Sequence, residues 1–523
     1  MCYTYREMGK KAKFFLSLLV VFLLIFAYYR SEWEKATRQF SLAYTYLTSL
    51  FYEEPNTKDL VFNAIRGMLE GLDPHSRFLD PDTLATMREE QAGKFYGLGI
   101  QITMINGKIT VVAVLKGTPA HRLGFMPGDI ITHVDGKSIE GLTTEQVVRL
   151  LRGPKGTKVR VTIQREGYDK PLEFVVTRAE IPLNSVRYSF MYNRDVGYVA
   201  IYNFGQTTPK EIEKAVRQLI SQGMKVLVLD LRGNPGGSLS AAVEVADLFI
   251  KKPQLIVYTK GKTKDSTVFY FANKDGYFED LPLIILINHT SASASEVVSG
   301  AIQDHDRGIL IGNTTWGKGL VQTLFALSKD SALALTTAKY YTPSGRCIQR
   351  DYSDWEAYFW AKPKNNHEGP IYKTDKGREV YGGGGIEPDY KVPPQYLKEL
   401  AARMRSKGLF FRWARKFAKG QTPLARKLLP QLKDKDIFHL KITDEFLKDY
   451  LNFVRKNSDL KFTEKDLKES KKDILFEIHY ELANALKGLD TGMRVLLKYD
   501  AYFKKALELK KEAIKMAKDY AGR

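Results

Sequence analysis

"LPLIILINHTSASASEVVSGAIQDH", residues 281 to 305, starts as an unbroken apolar run, breaks at a turn of small residues and resumes with apolar positions at helical spacing. A strand with no polar alternation belongs in a sheet covered on both faces. The same cadence recurs on either side. "VGYVAIYNF" (196 to 204) precedes the helical "PKEIEKAVRQLISQG", and "KVLVLDLRGNPGG" (225 to 237) precedes "SLSAAVEVADLFI". "GILIGN" (308 to 313) and "ALALTTAKYYTP" (332 to 343) follow. Residues 179 to 394 therefore read as an α/β core around a largely parallel sheet. In such sheets chemistry collects beyond the carboxyl ends of the strands, where "NPGG" and "TSASAS" both fall.

The turn holds several serines beside His289. Ser293, with Glu296 three residues on, fits a capping box that opens a helix. A serine leaving a strand for a helix is also well placed as a nucleophile, because neighbouring N–H groups and the helix dipole favour an oxyanion. The turn alone supports both readings. The eight histidines supply no obvious base for it. His289 precedes the turn and no motif supplies an orienting aspartate, and His305, in "QDHDRG", reads as a solvated helix end. A lysine is the better candidate. "TTWGKGLVQT" (314 to 323) sets Lys318 between two glycines with Gln322 beyond it. An ordinary lysine, pKa ~10.4, holds its proton at neutral pH, and making it neutral there costs about 4 kcal/mol of differential solvation. "GNPGGSL" (233 to 239) looks like a trypsin-type nucleophile loop, but Pro235 stands at the serine position.

Further out, residues 95 to 178 switch to short alternating strands punctuated by Gly and Pro, with one helix in "TTEQVVRLLRG". Residues 34 to 90 and 395 to 523 read as helical, the latter Lys-rich and amphipathic. "FFLSLLVVFLLIFAYY" (14 to 29), preceded by Arg6, Lys10, Lys11 and Lys13, reads as an uncleaved transmembrane anchor spanning roughly 24 Å. Basic residues before the run put that end in the cytoplasm. The expectation is a single-pass protein of the inner (cytoplasmic) membrane with its catalytic part periplasmic. The net charge of +20 is interleaved with acids, as in "KFTEKDLKESKKD", and no nucleic-acid motif accompanies it, so no nucleic-acid partner is expected. Two cysteines, Cys2 and Cys347, support neither a disulfide framework nor a metal site.

Two resemblances follow. Residues 95 to 178, with "GLGI" and "PGDIITHVDG", resemble a PDZ domain. That likeness implies a loop at Leu98, Gly99 and Ile100 that takes a peptide's terminal carboxylate while the strand after it pairs with the peptide. "LDLRGNPGG", "INHTSASASEVVSGAIQD", "GNTTWGKGLVQT", "TAKYYTPSGRCIQ" and "GGGGIEPD" occur in that order. With the PDZ-like region and "GLDPHSRFLD" (71 to 80), they resemble the carboxyl-terminal processing peptidases, or tail-specific proteases.

The resemblance implies a crotonase-related core and a Ser–Lys dyad with Ser293 as nucleophile, Lys318 as general base and Gln322 assisting. It places the oxyanion hole at the N–H of Ala294 and a glycine of "NPGG", Gly236 or alternatively Gly237. No cofactor and no metal are implied. The expected substrates are unstructured chains with apolar C-termini, and the helices near the anchor suggest a homodimer. The domain reading is a cytoplasmic stub and anchor (1–30), an N-terminal helical region (31–90), an inserted PDZ domain (91–178), the protease core (179–394) and a helical C-terminal extension (395–523). The competing classes are a catalytically silent, membrane-anchored PDZ scaffold and a crotonase-like acyl-CoA enzyme.

Overall fold

The computed structural model describes residues 32–273, 277–360, 369–432 and 435–522. The anchor expected at 14–29 lies outside them, and among the described residues no helix is long and apolar enough to cross a membrane. The chain divides into two compact units with a boundary after Asp80.

The first unit contains a helix over 32–50, a second over Thr57–Glu70 and a short strand, Arg77–Leu79. Asn56 starts the second helix by accepting the N–H groups of Lys58 and Asp59. Phe62 and Phe78 pack ring to ring at 4.7 Å.

The second unit is built on a six-stranded sheet of β1 (Val186–Met191), β2 (Val196–Ile201), β3 (Val226–Asp230), β6 (Leu283–Ile287), β7 (Ile309–Gly312) and β10 (Tyr390–Lys391), in that spatial order. β1 runs antiparallel to β2; the other pairs are parallel. A smaller antiparallel sheet joins β4 (Leu255–Gly261), β5 (Val268–Phe271), β8 (Leu320–Ala326) and β9 (Ala332–Tyr341).

Every residue of β2, β3, β6 and β7 is buried, the mark of a sheet covered on both sides. Alternate residues divide between the covers. Val199, Leu229, Ile285 and Leu310 face α1 (Thr208–Ser221), α2 (Leu239–Asp247) and α3 (Ala294–Asp304). Ala200, Val228, Leu286 and Ile311 face Leu497, Phe503, Ala506 and Ala513, which belong to the C-terminal extension. Thus α6 (Ala501–Glu508) and α7 (Lys510–Ala521) are the second layer of the core. The rest of the extension, including α4 (Leu409–Ala418) and α5 (Asp444–Asn457), has its own centre around Phe410, Trp413, Tyr450 and Ile478.

The PDZ-like region is a five-stranded antiparallel sheet around Val111, Val147, Val161 and Val176, with a short sixth strand beside it. Its helix, Thr144–Leu151, starts from a capping box between Thr143 and Gln146. The strand Ile100–Ile105 is the edge of this sheet.

The end of α3 differs from expectation. Asp304, His305, Asp306 and Arg307 are buried rather than solvated. Asp304 pairs with Arg346 and Asp306 with Arg378, while the Arg307 guanidinium donates to the carbonyls of Phe249, Phe278 and Leu281. These partners come from distant segments, so local composition could not announce the burial.

Candidate active site

Because β3 and β6 are parallel neighbours, their carboxyl ends deliver the "RGNPGG" loop and the serine turn side by side. Three hydroxyls at the turn are committed to carbonyls. Ser291 donates to Leu231, Ser295 to Asn234 and Ser299 to Ser295. From Ser291 to Gly300 every residue but Ser293 is buried, and Ser293 is half-buried.

Ser293 sits at φ 53° and ψ −111°, backbone that a non-glycine residue rarely adopts. The conformation changes the expected cap. The Glu296 N–H donates to the Ser293 carbonyl at 2.8 Å, and the serine side chain takes no part in capping. An ordinary N-cap has extended backbone that turns its side chain onto the helix end, and this residue does not. The glutamate half of the box is present, the Ser293 N–H donating to Glu296 Oε2 at 2.8 Å.

That glutamate does more than cap. Glu296 is wholly buried, and its Oε2 also accepts the Lys318 N–H at 2.9 Å. Its Oε1 accepts the Gly317 N–H at 2.7 Å and the Thr315 hydroxyl. Burial lifts its carboxyl to about 7, against the pull of these four donors toward the charged form. On the other side the Tyr340 hydroxyl lies within reach of the carbonyls of Ser293, at 3.1 Å, and Lys318. One carboxylate and one phenol therefore tie the serine turn to the "GKG" loop. Sequence reading took Glu296 for a cap and passed over Tyr340, since neither bond follows from local spacing.

Gly236 also meets the turn. A Cβ on it would lie 2.8 Å from Ser293 Cβ and 2.9 Å from the Ala294 nitrogen. Its φ of +104° likewise favours glycine, so its lack of a side chain keeps clear the space before the Ala294 N–H. The Gly236 N–H donates to Asn234 Oδ1, whereas the N–H groups of Ala294 and Gly237 donate to no described group. Gly237 abuts the Phe204 carbonyl, three residues beyond β2. Gln322 lies on β8, and its amide donates to Thr336 at 3.1 Å.

His305 is held away from this chemistry. Both ring nitrogens have partners, Asp375 at 2.9 Å and the Leu255 carbonyl at 2.7 Å. Burial opposes its charge, but these bonds outweigh it and raise its pKa.

In the PDZ-like region, the carbonyls of Leu98 and Gly99 accept from Ala120 and Leu115, and their N–H groups donate to no described group. Gly99 has φ +83°, and a Cβ there would overlap Thr118. A groove of about 380 Å³ runs from this loop between the edge strand and the helix, walled by Ile100, Ile102, Val112, Val148 and Leu151. Arg187 of β1 reaches its lining.

A family model described as peptidase family S41 matches residues 195–353, and one for the PDZ domain matches residues 110–165. A carboxy-terminal-processing protease of Bartonella bacilliformis is 43% identical over 299 residues, 56% of this chain and 68% of that one. The carboxy-terminal processing protease CtpA of Bacillus subtilis is 33% identical over 375 residues, 70% of this chain and 77% of that one. Among solved structures, a photosystem II D1 C-terminal processing protease is 30% identical, covering 70% of this chain and 90% of its own, with a TM-score of 0.37.

Proposed function

The chain belongs to the carboxy-terminal processing proteases of peptidase family S41, serine-type peptidases with a PDZ domain, and on that premise we propose that Ser293 is its nucleophile and Lys318 its general base. The observation that carries the assignment is the shared carboxylate. Glu296 accepts the backbone N–H of both residues, which fixes one loop against the other.

In the proposed reaction neutral Lys318 takes the Ser293 proton as the alkoxide attacks a backbone carbonyl. The oxyanion is received by the Ala294 N–H and a glycine N–H. Gly237 is the better second donor, because the Gly236 N–H is already engaged by Asn234. The intermediate collapses as the C–N bond breaks and the protonated Lys318 gives its proton to the leaving amine, and the acyl-enzyme is then hydrolysed by water that neutral Lys318 activates. Gln322 orients the lysine from β8 once its amide leaves Thr336.

We further propose that apolar tails enter the PDZ groove, with the terminal carboxylate at the N–H groups of Leu98, Gly99 and Ile100. The apolar walls and the edge strand support this reading. Residues 14–29 anchor the chain in the inner membrane with the peptidase on the periplasmic side, a proposal that rests on the sequence pattern; extraction by detergent but not by alkaline carbonate would bear it out. The helix over 32–50 exposes Trp33, Phe40, Tyr46 and Leu50, which supports pairing with a second copy, to be read by sedimentation.

The decisive test incubates the detergent-solubilised chain with an unstructured protein bearing an apolar tail and follows fragments by mass spectrometry. Cleavage is expected from the parent and from neither Ser293→Ala nor Lys318→Ala. Cleavage that survives Lys318→Ala would refute the lysine-base mechanism.

A further inference from the structure

A cleft of about 520 Å³ lies where the PDZ-like region meets the C-terminal extension, far along the chain from the serine turn. One wall comes from the hairpin end near Lys108 and the turn Arg165–Tyr168; the other is α4, with Phe453 of α5. Five cationic side chains and one carboxylate line it.

The charges do not cancel. Arg165 forks onto Asp129 with two contacts of 2.7 Å, and Lys416 pairs with Glu166 at 3.1 Å. Lys108 is exposed to solvent, which carries its charge. Arg412 and Arg415 remain. They stand three residues apart on α4, both partly buried, and neither side chain has a hydrogen bond or ion pair with a described residue. The Nε of Arg412 is fully buried and unsatisfied. Burial pulls the pKa of both guanidinium groups down, against weaker opposing effects of Tyr450 and Glu166 at Arg412 and of Asp129 at Arg415. Two like charges, drawn from water and held on one face of a helix, are unfavourable unless a counter-charge joins them.

We propose that this cleft is a binding site for a phosphate group, held by the forks of Arg412 and Arg415 between the PDZ domain and the helical extension. Two guanidinium groups without an ion-pair partner attract an oxyanion, doubly charged as free phosphate or singly charged as a lipid phosphodiester, and their planar forks match its tetrahedral shape. The group could arrive as free phosphate or at the end of a lipid; the chemistry recognised is the same. The site is independent of the dyad and of the peptide groove.

The test uses the full chain in neutral detergent micelles, titrated with inorganic phosphate at constant ionic strength and followed by calorimetry and thermal unfolding. A parallel arm compares micelles doped with phosphatidylglycerol and with phosphatidylcholine. The parent is expected to show saturable binding or a stabilisation specific to phosphatidylglycerol. Arg412→Gln with Arg415→Gln should weaken it at least about tenfold while leaving circular dichroism and basal peptidase activity as in the parent. Glu166→Gln, which frees Lys416, should tighten it severalfold. Response to inorganic phosphate alone identifies the free ion, and response to phosphatidylglycerol identifies a headgroup. No response in either arm, or equal responses from the parent and the double variant, would overturn the proposal.

Discussion

Glu296 sits at full acceptor capacity, two donors on each oxygen. A proton on either oxygen displaces one of them, and burial places that titration at about 7. Activity is expected to drop on the acid side with an apparent pKa close to that value. Glu296→Gln should remove that limb and lower kcat about 100-fold, since its amide N–H groups would face donors. Stability runs the other way. The folded carboxyl holds its proton more tightly than the unfolded one at 4.5, so its contribution is fullest below 4.5 and is lost as pH rises through about 7. Thermal unfolding of Ser293→Ala from pH 5 to 8, with and without Glu296→Gln, measures this slope. Gly236→Ala tests the neighbouring space. Its methyl would stand before the Ala294 N–H, and a loss of about 10²–10³-fold in kcat with little change in KM is expected.

At the scale of elements, much was legible and some was not. The unbroken apolar strands announced a covered sheet, and the small-residue turn after β6 announced the passage from strand to helix, because both signals are local. "QDHDRG" misled because its charges find partners at Arg346, Arg378 and the end of α2, none of which is near in sequence. Arg307 serves there as a clamp for three carbonyls that end other segments, and burial draws its pKa down to about 10. Arg307→Met keeps most of the volume and leaves those carbonyls unmet. A loss of about 3 kcal/mol or more is expected in denaturant unfolding. At the turn itself, the serine was legible by its position between strand and helix. The tie through Glu296 and Tyr340 was not, since each joins segments over twenty residues apart.

For the whole molecule, the C-terminal extension is the largest departure from what composition suggested. Lys-rich amphipathic helices without motifs gave no sign of what their apolar faces cover. Phe503 is fully buried against Tyr192 and Tyr198, and Arg232 of the glycine loop reaches Asp500 at 2.6 Å. Phe503→Ala is expected to destabilise by about 3–5 kcal/mol and to lower activity through that loop, read by unfolding and cleavage together.

The same cover sets an order of events during synthesis. Residues 489–521 leave the ribosome after every segment they shelter, including both loops that meet at Ser293. Until they arrive, one face of the central sheet is bare and Arg232 lacks Asp500. A chain caught midway through synthesis would thus carry the proposed nucleophile without the cover its sheet requires, and an unfinished peptidase would stay harmless until residues 489–521 close over that sheet. A chain ended before residue 489 should accordingly cleave nothing.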